Sequence, residues 1–142
     1  EYGASHYEKL STLRAPDPPH NTVTLDDYRR RIAQSRAELD LQAAHARAPW
    51  ICIWDDHEIA DDDWMHGAEG HNPTTDGDWE LRKAAAVRAW YEWMPVHDPV
   101  PGNPYGIARS HSFGDLATLI VPEDRLKARH HRLRLPTDTN LR

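Results

Sequence analysis

The sequence predicts an α/β fold in which helices flank a small sheet. Two stretches, residues 24–48 and 78–94, carry apolar side chains at helical spacing. A short apolar run at residues 50–54 and a pair of apolar runs around Gly114 indicate strands. Helix, strand, helix and strand pair therefore alternate along the chain, which is typical of a sheet covered by helices. The 142 residues suffice for one compact domain with a sizeable core.

The first predicted helical region starts after a proline-rich segment, since Pro16, Pro18 and Pro19 exclude a long helix before it. Thr24 and Asp27 have the spacing of a capping box, with aspartate in place of the usual glutamate. One apolar face follows, formed by Leu25, Tyr28, Ile32, Leu39 and Ala43. The other faces carry Arg29, Arg30, Arg31 and Arg36. We expect one amphipathic helix, or two, ending before Pro49.

The next two elements are a strand and a helix. Residues 50–54 form a continuous apolar run that is too short for a helix, which favours a buried strand. A helix is predicted from about Asp78 to Met94, between Gly77 and Pro95, with an alanine-rich centre.

The last predicted element is a hairpin. Residues 107–113 alternate loosely, Gly114-Asp115 suits a two-residue turn, and residues 116–121 predict a second buried strand.

Charge is concentrated in one place. The chain has 17 basic and 23 acidic residues, a formal net charge of −6. Six of the acidic residues fall within residues 55–63, here called the acidic segment, and the other 17 equal the basic residues in number. A mildly acidic chain is not expected to coat nucleic acid, and no apolar run approaches the ~20 residues of a membrane span. A single cysteine, Cys52, excludes an internal disulfide framework.

The acidic segment has two interpretations. Neighbouring carboxylates repel each other, so they must spread into solvent, protonate in part or hold a cation. Carboxylate oxygens suit hard cations, and His57 adds a nitrogen ligand or a proton carrier. The alternative is a solvated acidic face, and Asp62 and Asp63 are the two members for which we most expect it.

A zinc hydrolase is a weaker alternative. Residues 57–61 match the HExxH pattern of zinc proteases except that Asp61 replaces the second histidine. The pattern requires a helix, because His57 and Asp61 must share one face with Glu58 beside them.

A basic stretch near the carboxyl end offers phosphate ligands. It comprises Arg125, Lys127, Arg129, His130, His131, Arg132 and Arg134. Arginine binds phosphate through two parallel hydrogen bonds, and Arg125 is the first candidate for a substrate contact. A solvated helix face is the more common meaning of such a run.

Several motifs in order resemble the alkaline phosphatase D (PhoD-like) family. The strongest is Trp54-Asp55-Asp56-His57-Glu58, preceded by His45 and Pro49-Trp50. Residues 28–31, 41–45, 79–85, 91–95 and 112–116 resemble the family's flanking helices and hairpin.

The resemblance implies part of a metallophosphoesterase-type two-sheet sandwich flanked by helices. It implies hydrolysis of phosphate monoesters and diesters, iron with calcium as cofactors, and a periplasmic or secreted location. By the same resemblance Asp56 is a metal ligand, and His57 assists the leaving group or orients phosphate. Asp55 is a further metal ligand or supports one, and Asp61 stands where the family commonly has asparagine and can still ligate a cation.

The resemblance also implies that residues 1–142 are a partial domain, truncated at both ends. Glu1-Tyr2-Gly3 resembles the end of a longer family motif, and histidine-containing motifs are expected beyond residue 142. We expect the chain alone to carry about half a metal site and to be inactive or barely active. A cation-binding module without catalysis and a zinc hydrolase built on His57, Glu58 and Asp61 remain the alternatives.

Overall fold

The computed structural model describes residues 15–131. It is a mixed α/β structure with four helices and two small sheets in that range. The helices are α1 (Leu25–Arg36), α2 (Leu39–Arg47), α3 (Pro73–Asp76) and α4 (Trp79–Trp93). The strands are β1 (Asp63–Trp64), β2 (Gly67–Ala68), β3 (Arg109–Phe113) and β4 (Ala117–Val121). None of the described helices is long and apolar enough to cross a membrane.

The predicted helices are confirmed, and their ends follow the local capping chemistry. At α1 the Thr24 hydroxyl accepts from the Asp27 N–H, and the Asp27 carboxylate accepts from the Thr24 N–H at 2.9 Å. At α4 the Asp78 carboxylate accepts from the Leu81 N–H at 2.9 Å. The first helical region forms two helices, α1 and α2, and two helices was one of the two expected outcomes.

The core lies where α1 and α4 pack against residues 54–60. Tyr28 and Ile32 of α1 meet Trp79, Val87 and Trp90 of α4. The Trp54 indole packs edge-on against the ring of Trp90, with ring centroids 5.2 Å apart. This packing fixes the segment that leads into the acidic residues against both long helices.

The predicted buried strand at residues 50–54 is wrong. No residue of this run belongs to a strand, Trp50 and Ile51 are exposed, and of the five only Trp54 is buried. A strand needs a neighbour for its backbone groups. Here the Cys52 carbonyl accepts from the Arg109 guanidinium, which is a side chain and not a ladder partner.

The predicted hairpin is confirmed, but its turn and its burial differ from the prediction. Phe113 pairs with Ala117, so the loop has three residues, 114–116, and not two. The Leu116 side chain is 87% exposed, and of β4 only Val121 is buried. The apolar composition of residues 116–121 therefore predicted the strand correctly and its burial wrongly.

Two details of the first helical region also differ. Arg31, expected on a polar face, is buried because its guanidinium donates to the carbonyls of Asp17 and Pro18. Leu39, expected on the apolar face, is exposed, and α2 buries none of its residues.

Candidate metal and phosphate site

The acidic segment is a compact irregular loop that leads into the β1–β2 hairpin. The Asp63 N–H donates to the Asp56 carbonyl at 2.9 Å and so closes the loop on itself. Asp62 has a φ of 53°, in the left-handed region that few non-glycine residues adopt. Residues 55–62 contain no helix, so the helix that the HExxH pattern needs is absent. The Glu58 carboxylate instead accepts from the Asp55 N–H at 2.8 Å.

His57 lies between two carboxylates. Its Nε2 is 3.6 Å from Asp56 Oδ1, and its Nδ1 is 3.1 Å from Asp61 Oδ1. The Nδ1–Asp61 pair is close but not aligned as a hydrogen bond. Asp61 thus lies beside one ring nitrogen of His57, and Asp56 lies beside the other.

Asp56, His57 and Asp62 form a group that could hold a metal ion. Each offers one ligand atom, these atoms all lie within 4.8 Å of one another, and all three residues are half-buried. Two carboxylate oxygens and one imidazole nitrogen match the ligands of divalent cations of hard or intermediate character. The residues present therefore fit a metal ion, and together with the likeness to known proteins given below they indicate metal use.

Two arginines of the basic stretch face the acidic segment. Arg129 Nη1 donates to Asp56 Oδ2 at 2.8 Å. Arg125 donates to Asp55 Oδ1 from Nε at 2.9 Å and from Nη2 at 2.7 Å. The hydrogen bond with Asp55 raises the pKa of Arg125. Positive charge is thus held against Asp55 and Asp56, the two residues that directly precede His57.

Glu123 places these arginines. Its carboxylate accepts from the backbone N–H groups of Arg125, Leu126 and Lys127 at 2.6–2.9 Å and so caps a turn. The same carboxylate accepts from the Trp54 indole N–H at 3.0 Å. Because Trp54 directly precedes Asp55, Glu123 fixes both the start of the acidic segment and the turn that carries Arg125.

Asp63 is the most deeply buried acid of the segment, at 0% exposure. Burial, and next the nearby charge of Glu58, raise the pKa of Asp63 to about 8. The Ile59 N–H faces this carboxylate and opposes the shift, but neither oxygen makes a well-formed hydrogen bond with the described residues. Burial also raises the pKa of Glu58, although the Asp55 N–H opposes that change.

The structure brings the predicted site residues together, but not all of them belong to the metal-ligand group. Asp56 and His57 lie in the metal-ligand group. Asp55 faces Arg125, and Asp61 faces His57. No metal or substrate role of these residues is tested by this geometry, so the roles stay predictions.

Sequence reasoning missed three residues of this region. Asp62 and Asp63 were expected in solvent, but Asp62 joins the metal-ligand group and Asp63 is buried. Arg129 was expected on a solvated helix face, but it pairs with Asp56 in a chain segment that forms no helix. The one available signal for Arg129 was its spacing of four residues from Arg125. Arg132 and Arg134 lie outside the described residues.

Comparison with known proteins gives a consistent result. The family model described as PhoD-like phosphatase matches residues 1–140. The chain is 36% identical over 131 residues to alkaline phosphatase D of Bacillus subtilis (strain 168). The matched region covers 88% of this chain and 21% of that protein. The chain is also similar to a solved structure of PhoD, with a TM-score of 0.73 and 35% identity over 89% of this chain and 24% of that one. The chain therefore spans between a fifth and a quarter of the length of these relatives.

Proposed function

The chain belongs to the PhoD-like phosphatase family, and we propose that it supplies part of the metal and phosphate site of a phosphoric ester hydrolase. The observation that carries the proposal is the placement of Asp56, His57 and Asp62 within ligand distance of one another, with Arg125 and Arg129 beside them. A phosphate ester is an anion, so a site that pairs a cation-binding group with arginines fits it.

The metal-ligand group divides into two roles in this proposal. Asp56, which the resemblance implies as a ligand, holds the metal ion together with Asp62, which the geometry adds. His57 acts on the leaving group, as the resemblance implies. A metal ion bound there would neutralise phosphoryl oxygens and activate water for attack on phosphorus. Iron with calcium is the identity that the family resemblance implies, and metal analysis of the purified full-length protein tests it.

His57 performs the proton transfer. Its Nε2 holds the proton that the leaving-group oxygen takes up as the phosphorus–oxygen bond breaks. Asp61 at Nδ1 keeps the imidazole turned so that Nε2 faces Asp56 and the phosphate. Asp55 holds Arg125 near the site, from which the guanidinium binds a phosphoryl oxygen.

The surrounding architecture is proposed on the same basis. A two-sheet sandwich flanked by helices accommodates the hairpin β3–β4, on which Phe113, Leu119 and Ile120 are exposed. The substrates are phosphate monoesters and diesters, and the location is periplasmic or secreted. Residues 1–142 represent part of the catalytic domain under this proposal.

The test separates metal binding from proton transfer in the full-length protein. Asp56→Asn and Asp62→Asn are expected to weaken Mn²⁺ binding, measured by calorimetry, by about tenfold or more. His57→Gln is expected to lower kcat on an alkyl phosphate ester, whose leaving alkoxide needs a proton, by about 10²–10⁴-fold, the range for loss of a general acid, while Mn²⁺ affinity changes little.

The neighbouring pair His97 and Asp98, exposed on the loop after α4, gives matched controls in His97→Gln and Asp98→Asn. Cation binding without any ester turnover would support the non-catalytic module. Peptide cleavage restored by zinc would support the zinc hydrolase. Loss of metal binding in His57→Gln would make His57 a ligand and contradict its proposed role.

A further inference from the structure

The backbone of the acidic segment and of the β1–β2 hairpin is fastened by side chains of two helices. The Tyr28 hydroxyl of α1 donates to the Ile59 carbonyl at 2.7 Å. From α4, Arg82 Nη1 donates to the Gly70 carbonyl at 3.1 Å. Lys83 Nζ and Trp79 Nε1, also from α4, both donate to the Met65 carbonyl, at 2.7 and 3.2 Å. Residues 59–70 are therefore held at three carbonyls by donors from outside the loop.

Tyr28 and Arg82 act as one unit. Arg82 Nε donates to the Tyr28 hydroxyl at 3.1 Å and to the Thr22 carbonyl at 2.9 Å. Each of the two residues is 1% exposed. A guanidinium buried this deeply is costly in free energy, even with the carboxylate of Asp76 at 3.1 Å. Arg82 nevertheless donates to acceptors on three separate segments, the Thr22 carbonyl, the Tyr28 hydroxyl and the Gly70 carbonyl, so its position fixes these segments relative to one another.

The carbonyls that this pair holds enclose the site residues. Ile59 follows His57 by two residues, and the Gly70 N–H donates to the Asp61 carbonyl at 2.9 Å. Gly70 approaches Asp61 so closely that a Cβ on residue 70 would lie 2.7 Å from the Asp61 nitrogen. The position of Asp61, and of Asp62 after it, is thereby tied to Arg82 through Gly70 and to Tyr28 through Ile59.

We propose that Tyr28 and Arg82 are positioning residues that set where Asp62 stands relative to Asp56 and His57. Neither residue touches the ligand atoms, and both act through the loop backbone. The inference rests on the proposed function in that the positioned group is the proposed metal site. The pair matters because Asp56 and Asp62 can bind one metal ion beside His57 only while the loop keeps the three side chains within 4.8 Å of one another.

The variant that tests this is Tyr28→Phe, which removes the hydroxyl and keeps the buried ring. In the full-length protein it is expected to weaken Mn²⁺ binding by about tenfold, the lower end of the range for losing a group that orients metal ligands. Tyr105→Phe is the matched control and is expected to leave Mn²⁺ affinity unchanged. Calorimetry well below the melting temperature of each variant keeps stability out of the comparison.

Amide hydrogen exchange provides a second readout on the loop itself. In Tyr28→Phe the Asp63 and Gly70 amides, which close the loop, are expected to exchange faster, while the α4 amides keep their rates. Arg82→Lys is expected to reproduce the loss of Mn²⁺ affinity, because a lysine cannot reach Tyr28, Thr22 and Gly70 together.

The outcomes are distinct. Unchanged Mn²⁺ affinity in Tyr28→Phe, including the case where only the melting temperature falls, would overturn the positioning role. A wild-type protein that binds no Mn²⁺, or whose binding survives Asp56→Asn, would instead overturn the proposed function itself. A coupled loss of affinity and loop protection in Tyr28→Phe, absent in Tyr105→Phe, would support the inference.

Discussion

At the scale of single residues, Asp27 shows how far one carboxylate can be predicted from sequence. Its capping role follows from its spacing to Thr24, and the structure confirms both bonds of the capping box. The structure adds that its oxygens also accept from the Val23 N–H at 3.2 Å and lie 3.1 Å from His20 Nε2. Local spacing predicted the first contacts, and the fold of the preceding proline-rich segment supplies the others.

Asp27 also carries a testable pH dependence. Burial raises its pKa, but the hydrogen bonds from Thr24, Val23 and His20 outweigh burial and leave the pKa below 3.8. A carboxyl group whose pKa is lower in the folded state than in the unfolded state stabilises the fold at pH values above its unfolded-state pKa. That contribution is lost as the pH falls through its folded-state pKa. Asp27→Asn is therefore expected to lower the free energy of unfolding by about 1–2 kcal/mol at pH 7.

The difference between wild type and Asp27→Asn is expected to shrink as the pH falls below about 4 in urea titrations. Asp26→Asn, an exposed neighbour in the same helical turn, is the control and is expected to change stability little at any pH. A wild-type advantage that stays constant down to pH 2 would contradict the account.

Other residues were beyond prediction for a physical reason. Arg82, Arg31 and Asp63 are ionisable residues in the interior, and composition favours the surface for each of them. The buried Arg82 guanidinium donates to the Thr22 carbonyl and the Tyr28 hydroxyl, which lie 60 and 54 residues away in sequence. No spacing rule within a helix reveals partners at that separation.

At the scale of elements, the helices were predictable and the burial of strands was not. α1 and α4 carry their own signals in Thr24, Asp27 and Asp78, and a helix satisfies its hydrogen bonds within itself. A strand depends on a neighbour, and the apolar run at residues 50–54 predicted a buried strand although it pairs with no strand among the described residues. The hairpin β3–β4 carries both partners and was predicted correctly for that reason.

The turn of this hairpin gives the second prediction. Gly114 has a φ of 58° and open space where a Cβ would point, so a substitution there meets backbone strain alone. Gly114→Ala is expected to destabilise the hairpin by about 1 kcal/mol, which speeds local amide exchange in β3 and β4 about fivefold. Gly114→Asn is expected to have a smaller effect, because asparagine tolerates the left-handed region better. Equal effects of the two substitutions would contradict a strain-based explanation.

At the scale of the whole molecule, the formal net charge of −6 equals the formal charge of the acidic segment, which packs between two helices and a basic turn. The acidic segment is held by α1 and α4 on one side and faces Arg125 and Arg129 on the other. The two arginines pair with Asp55 and Asp56. The sequence shows the concentration of charge, and cation binding by it stays a prediction. It did not indicate which acids the fold gathers, since Asp62 and Asp63 gave no signal of burial.

This setting predicts that divalent cations stabilise the whole fold and that ordinary salt does not do so equally. A ligand that binds only the folded state at 100 times its Kd adds about 2.7 kcal/mol to the free energy of unfolding. Millimolar Ca²⁺ or Mn²⁺ is therefore expected to raise the melting temperature of the wild-type full-length protein by several degrees. NaCl at equal ionic strength is the control, since screening alone relieves repulsion without filling a site.

Asp62→Asn is expected to abolish the cation-specific part of the shift, whereas Asp98→Asn retains it. An equal rise of the melting temperature in NaCl, or a rise that persists in Asp62→Asn, would contradict this prediction. It would mean that added ions only screen the carboxylates and do not bind among them.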